Sequence, residues 1–192
     1  MDVDEPNIKT VVWIENKKPF KNTTEKETEN KEHKKRVITQ HKNWNFKAAD
    51  LQPDAQLDLA KTLLLYIAND HIITDAKLLM VVRMLTDKLR SYRTQDMCKS
   101  IYSENEFITM QALIELFLRT NFTCYYCNEP AKLIYEEVRD PKQWTLERID
   151  NSRGHNTDNV ELACLSCNLR RRTMYHERYV LTKQMCNIVK ST

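Results

Sequence analysis

The chain has 192 residues, 41% hydrophobic and 30% charged, with six cysteines, one glycine and a formal net charge of +3, which suits one domain or two small ones. No run approaches the roughly 18 apolar residues that span a bilayer, and no apolar leader with a cleavage site opens the chain, so the expectation is an intracellular protein without a membrane segment. A single glycine excludes the glycine-rich phosphate cradles of Walker or dinucleotide type, and with them the ATPases, kinases and dehydrogenases built on those loops.

Residues 1–47 mix Lys and Glu with Asn and Thr, as in Lys17-Lys18, Asn22 to Asn30 and Lys34-Lys35-Arg36. So few apolar side chains cannot offset an ordering cost of about 1–2 kcal/mol per residue, and a disordered tail is expected. Two apolar islands interrupt it, Val11-Val12-Trp13-Ile14 and Trp44 with Phe46. The first reads either as a linear motif that docks on another protein or as a stretch that packs locally.

Residues 48–120 have helical periodicity and predict a small bundle. Pro53 suits a first helical turn, followed by Leu57, Leu64, Leu65 and Ala68 as the expected buried face. A second helix is expected after Thr74, burying Leu78, Val81, Val82, Leu85 and Leu89, and a short one from Asp96 to Tyr102. A third is expected from Ser103 to about Arg119, with Ser103 and Glu106 in capping-box spacing and Phe107, Met110, Leu113 or Ile114, and Phe117 buried.

Residues 121–192 read as a different unit. Lys132 to Val138, Trp144 to Ile149 and Asn159 to Ala163 have the character of short strands, and helix returns from Leu165. The fold class expected is therefore α+β: a tail, a helical bundle, and a small mixed module.

Cys124-x-x-Cys127 and Cys164-x-x-Cys167 bracket 36 residues, and four thiolates in two such pairs match the tetrahedral set that Zn²⁺ prefers. A structural zinc typically contributes about 10–16 kcal/mol of apparent binding free energy, against about 2–3 for one buried aliphatic side chain. The metal is expected to dominate the stability of the module. Cys98 and Cys186 fall outside the pairs and read as ordinary thiols.

The run Trp144-Thr-Leu-Glu147-Arg148-Ile-Asp150, then Gly154-His155, then Asp158-Asn159-Val160-Glu-Leu-Ala-Cys164-Leu-Ser-Cys167-Asn168, resembles the HNH endonuclease family with its ββα-metal fold. The likeness covers residues 120–175. It implies that Asn159 ties the loop between the strands, and that Glu147 and Asn168 hold a catalytic divalent ion, for which Mg²⁺ with its retained waters is the natural choice. Arg148 stands where most members carry the general-base His, and a guanidinium cannot accept a proton near neutral pH. Either catalysis is lost or the base lies elsewhere. His155, with an imidazole poised near neutrality, is the candidate base, Arg148 then clamping the scissile phosphate. Asp150 reads as a further ligand or as the partner of His155.

Arg170, Arg171 and Arg172, with Arg178 and Lys183 beyond, suit salt-sensitive phosphate contacts, although a helix turns about 100° per residue and cannot aim three consecutive residues at one duplex. The resemblance implies a metal-dependent endonuclease that hydrolyses DNA phosphodiesters. The alternative is a degenerate module that binds nucleic acid, or a component of a nucleoprotein or viral assembly docked through the tail. The likeness to proteins of phages and large DNA viruses implies the cytoplasm or nucleus of a host cell.

Overall fold

Three features of the sequence start the first helix, α1 (Pro53–Ala68): Pro53 in its first turn, Asp54 beside it, and an extended Gln52 before it. In the computed structural model, which describes residues 34–188, α1 buries Gln56, Ala60 and Leu63, while Leu65 is 63% exposed. The buried row is rotated from the expected Leu57, Leu64, Leu65 and Ala68. The cause is Gln56, a polar residue kept inside because its Oε1 accepts the Ile134 N–H at 2.8 Å and its Nε2 donates to Leu51 O at 2.6 Å. A buried amide with both ends paired costs little; an unpaired one would cost about 1–3 kcal/mol.

Helix α2 (Ala76–Cys98) begins at Asp75, whose carboxylate accepts the Leu78 N–H at 2.8 Å. Leu78, Val81 and Leu85 face the core, with Val82 and Leu89 half-buried against it. The expected break near Asp96 does not occur: α2 runs on to Cys98 and stops where Ser100 turns left-handed (φ 56°). Its last turns bury Tyr92 and Asp96, polar residues that a core stripe would not include.

Helix α3 (Met110–Arg119) starts seven residues later than expected, capped by Thr109 accepting from the Ala112 N–H. Glu106 is not available as a capping-box partner because its carboxylate accepts from Asn156 Nδ2 at 2.6 Å and its carbonyl accepts the Thr157 N–H. The helix buries both Leu113 and Ile114, along with Leu116 and Phe117.

Strands β1 (Trp144–Arg148) and β2 (Val160–Cys164) pair antiparallel with Trp144 opposite Cys164 and Arg148 opposite Val160. Helices α4 (Leu165–Arg171) and α5 (His176–Ile188) follow. The third strand expected at Lys132 to Val138 is absent among the described residues, reduced to two isolated bridges, Lys132 with Gln143 and Glu137 with Lys35. Its polar backbone groups are engaged elsewhere: the Ile134 N–H by Gln56, the Tyr135 carbonyl by the Arg36 guanidinium at 3.0 Å, and the Glu136 carbonyl by the Arg36 N–H at 2.8 Å.

The Arg36 bonds also correct the expected tail. Residues 34–47 pack onto the module: Arg36 lies 4.1 Å over the Tyr135 ring, a short 3-10 turn forms at Val37–Gln40 with another just beyond the segment at Ala48–Leu51, and Phe46 is buried in edge contact with Trp44. The apolar island at Val11 to Ile14 lies outside the described residues.

The boundary expected at residue 120 does not separate two cores. Trp144, Leu146, Val160 and Leu162 of the hairpin join Leu63, Leu85 and Phe117 of the helices in one cluster, and Phe117 touches both Phe122 (4.9 Å between ring centres) and Trp144 (5.0 Å). A smaller cluster of Cys124, Tyr126, Ala163, Cys164, Cys167 and Tyr179 lies under α5. No helix among the described residues is long and apolar enough to cross a membrane. Because Phe117 joins helices to hairpin, Phe117→Ala is expected to cost about 3–5 kcal/mol, read as a lower urea midpoint at unchanged m-value.

Candidate metal centre and active-site cleft

The first cysteine pair sits in a tight turn after α3. The Asn128 N–H closes it onto the Cys124 carbonyl at 3.0 Å, and the Tyr125 N–H binds the Leu162 carbonyl at 2.8 Å, so the turn is pinned to β2. Cys164 ends β2 and Cys167 lies one turn into α4. The strand therefore delivers the second pair to the first, and all four Sγ atoms lie within 4.8 Å of one another. Tetrahedral Zn²⁺ with bonds of about 2.3 Å would place its sulfurs about 3.8 Å apart; Cys127 Sγ and Cys164 Sγ are 3.9 Å apart. Hydrogen bonds from Cys164 and Cys167 hold the Cys124 thiol well below its ordinary range. The donor set can hold a metal ion and fits zinc, and it is the only cluster of three or more Cys, His, Asp or Glu ligand groups among the described residues. Cys98, by contrast, is exposed on α2, and the Cys186 side chain is outside the described part.

On the other side of the hairpin a cleft of about 440 Å³ opens between α2, β1 and the start of α4. Glu147, Arg148, His155 and Asn168, distant in sequence by up to 21 positions, all line it. Lys88, Lys99 and Arg172 line it as well, which makes its charge cationic. Lys88 is half-buried: its ammonium donates to the Trp144 carbonyl and lies 3.9 Å over the Trp144 ring, and desolvation draws its pKa down to about 7.

The loop between the strands is held by Asn159. Its Oδ1 accepts the Asp150 N–H at 2.9 Å and its Nδ2 donates to the carbonyls of Asp150 (3.0 Å) and Gly154 (2.9 Å). Arg148 braces the same loop from below, its Nη1 donating to the carbonyls of Asn151 (3.2 Å) and Arg153 (3.1 Å). Asp150 does not line the cleft and is not the partner of His155: its carboxylate caps the turn by accepting from the Ser152 N–H and hydroxyl, which lowers its pKa.

The partner of His155 is Asp96, fully buried on α2. Asp96 Oδ1 lies 2.8 Å from His155 Nδ1, and Oδ2 accepts the His155 backbone N–H at 2.7 Å. Burial lowers the imidazole pKa, with Asp96 opposing the shift. The Tyr92 ring packs on the imidazole at 4.5 Å, and the Tyr92 hydroxyl accepts the Leu146 N–H at 3.0 Å. Residues Lys88, Ser91, Tyr92 and Gln95 recur at spacings of three and four, so one face of α2 forms a wall of the cleft, with Asp96 one turn beyond Tyr92 behind His155. Sequence reading missed that face; a polar row continuing an apolar one along a long helix was the signal available.

Glu147 and Arg171 form a buried ion pair. The Arg171 guanidinium, 1% exposed, donates to Glu147 Oε1, to the Arg148 carbonyl at 2.6 Å and to the Ile149 carbonyl at 3.0 Å. Arg171 is thus a brace between α4 and β1 and cannot reach a duplex, which corrects its place among the phosphate contacts. Arg170, Arg172 and Arg178 are exposed, while Lys183 lies 5.7 Å from the Tyr179 ring. Burial raises the Glu147 carboxyl to about 7 against the pull of Arg171, and its Oε2 is buried with no hydrogen-bond partner. Asn168 Nδ2 donates to Thr145 Oγ1 at 3.2 Å, which leaves Oδ1 as the end able to take a cation.

The chain matches no protein-family model, no curated protein and no solved structure.

Two outcomes are expected. The purified protein should carry one zinc per chain by elemental analysis, and Cys167→Ser or exhaustive chelation should abolish the cooperative thermal transition of the module, as removal of about 10–16 kcal/mol of metal binding requires. Gly154→Ala places a Cβ 2.7 Å from the Ile101 carbonyl and 3.0 Å from Asp96 Oδ2. It should cost about 1–3 kcal/mol, measured by chemical denaturation, because the nearer obstacle is backbone.

Proposed function

We propose that this protein is a metal-dependent endonuclease of HNH type that hydrolyses DNA phosphodiesters, its hairpin stapled by a structural zinc on the four cysteines. The observation that carries this reading is the convergence of Glu147, Arg148, His155 and Asn168 on one cationic cleft. Each brings a different chemistry. His155, whose pKa burial lowers, is able to accept a proton from an attacking water. Arg148, already half-engaged with the loop, directs its remaining N–H groups to a phosphate oxygen. Lys99 and Arg172 add cationic charge along the cleft, and exposed Arg170 and Arg178 are free to add non-specific backbone affinity.

A catalytic divalent ion would be held by Glu147 Oε2, the buried oxygen without a partner, and by Asn168 Oδ1, with waters and phosphate completing its shell. When bound, such an ion polarises the phosphate and stabilises the leaving oxygen. Glu147 could serve it through one oxygen only, since Arg171 occupies the other.

That ion pair also favours a second reading, a module of the same fold that binds DNA without cutting it. The two separate in one assay. Supercoiled plasmid with Mg²⁺ or Mn²⁺ should be nicked by the wild type and by Lys61→Ala, an exposed α1 residue paired with Asp58, and at least a hundredfold more slowly by His155→Ala and Asn168→Ala, all purified alike. Equal nicking by every variant, or none by the wild type in either metal, rejects the nuclease. Duplex binding that persists without nicking selects the second reading.

A further inference from the structure

We propose that Asp96 is a positioning residue: from α2, outside the zinc-stapled hairpin, it fixes the tautomer and direction of His155, so that the helical part of the chain completes the hydrolytic site. The proposal rests on the nuclease reading for its catalytic consequence but not for its structural content.

The two bonds from Asp96 do different things. Oδ2 takes the His155 backbone N–H at 2.7 Å and would anchor the loop whatever side chain stood there. Oδ1 at 2.8 Å from Nδ1 acts on the ring itself. With Oδ1 as the acceptor of this bond, Nδ1 carries the proton and Nε2 keeps its lone pair. Nε2 is then the ring nitrogen left for chemistry in a residue that lines the cleft. The ring cannot swing away because Tyr92 packs on it at 4.5 Å.

The fold makes an unusual accommodation for this contact. The single glycine of the chain, Gly154, precedes His155, and a Cβ there would meet Asp96 Oδ2 at 3.0 Å and the Ile101 carbonyl at 2.7 Å. The loop approaches the end of α2 this closely only because no side chain intervenes. Asp96 is fully buried with no cation in hydrogen-bond contact; its carboxylate is satisfied by His155 alone at both oxygens. A buried acid directed wholly at one histidine is a costly arrangement for mere loop closure, which the backbone bond already achieves.

The test is Asp96→Asn in the full chain. An amide keeps the anchor, since its oxygen accepts the His155 N–H, but its NH₂ now faces Nδ1 and forces the proton onto Nε2. Nitrogen-15 NMR of the histidine ring should report the Nδ1–H tautomer in the wild type and the Nε2–H tautomer in the variant. With zinc content and melting transition retained, kcat for nicking should fall a hundredfold or more at unchanged KM, and Asp96→Asn combined with His155→Ala should be no slower than His155→Ala alone. An Nε2–H tautomer in the wild type overturns the proposal, as does a folded Asp96→Asn with kcat within about threefold of wild type. Should Asp96→Asn fail to fold, the wild-type tautomer decides. A wild type that cuts nothing yet shows the Nδ1–H ring rejects the nuclease and leaves the positioning contact upheld.

Discussion

Glu147 and Arg148 lie on β1, His155 in the loop that joins β1 to β2, and Asn168 on the helix after β2, so every residue proposed for the chemistry takes its place from a two-stranded hairpin that is marginal in water by itself. Everything else follows from how that hairpin is held. At one end the four cysteines draw the turn after α3 onto the end of β2. At the middle, Trp144 and Leu146 enter the helical core against Phe117 and under Lys88, whose ammonium donates to the Trp144 carbonyl and lies over its ring. At the far end Arg171 ties β1 to α4 through three bonds. A metal-sized staple, an aromatic wedge and a buried ion pair thus fix a small element that could not fix itself.

The cleft lies where these constraints leave a gap. Its floor is the hairpin, its walls are α2 and the start of α4, and its rim is the loop that Asn159 and Arg148 brace. That loop is rigid for a reason visible in its bonds: Asn159 satisfies three backbone groups across it, and Glu106 and the Ile108 N–H hold its far side. Rigid placement matters because a proton acceptor and a phosphate clamp must keep their geometry without help from the substrate.

The helices were legible where an apolar row was long and unbroken, as in Leu78, Val81 and Leu85. They were misjudged where a polar side chain carried its own partners inside. Gln56 rotated the buried face of α1, Glu106 was drawn to the loop and delayed α3, and Arg36 took the carbonyls that a third strand would have used. In each case one specific hydrogen bond across at least 50 positions outweighed a local preference worth a few tenths of a kcal/mol. The same holds for residues 34–47, whose low apolar content hid the stacking of Arg36 on Tyr135.

By itself the sequence determined the chemistry on offer: four thiols in two spaced pairs, an imidazole beside the only glycine, and three consecutive arginines after the second pair. Spacing is enough for this, because ligands one helical or turn step apart must face the same point. Only the tertiary structure decided which of those groups meet. It buried Arg171 against Glu147, turned Asp150 into a cap, and brought Asp96 across 59 positions to His155. Such pairings depend on how whole elements pack, and a buried charge takes whatever opposite group the packing brings within reach.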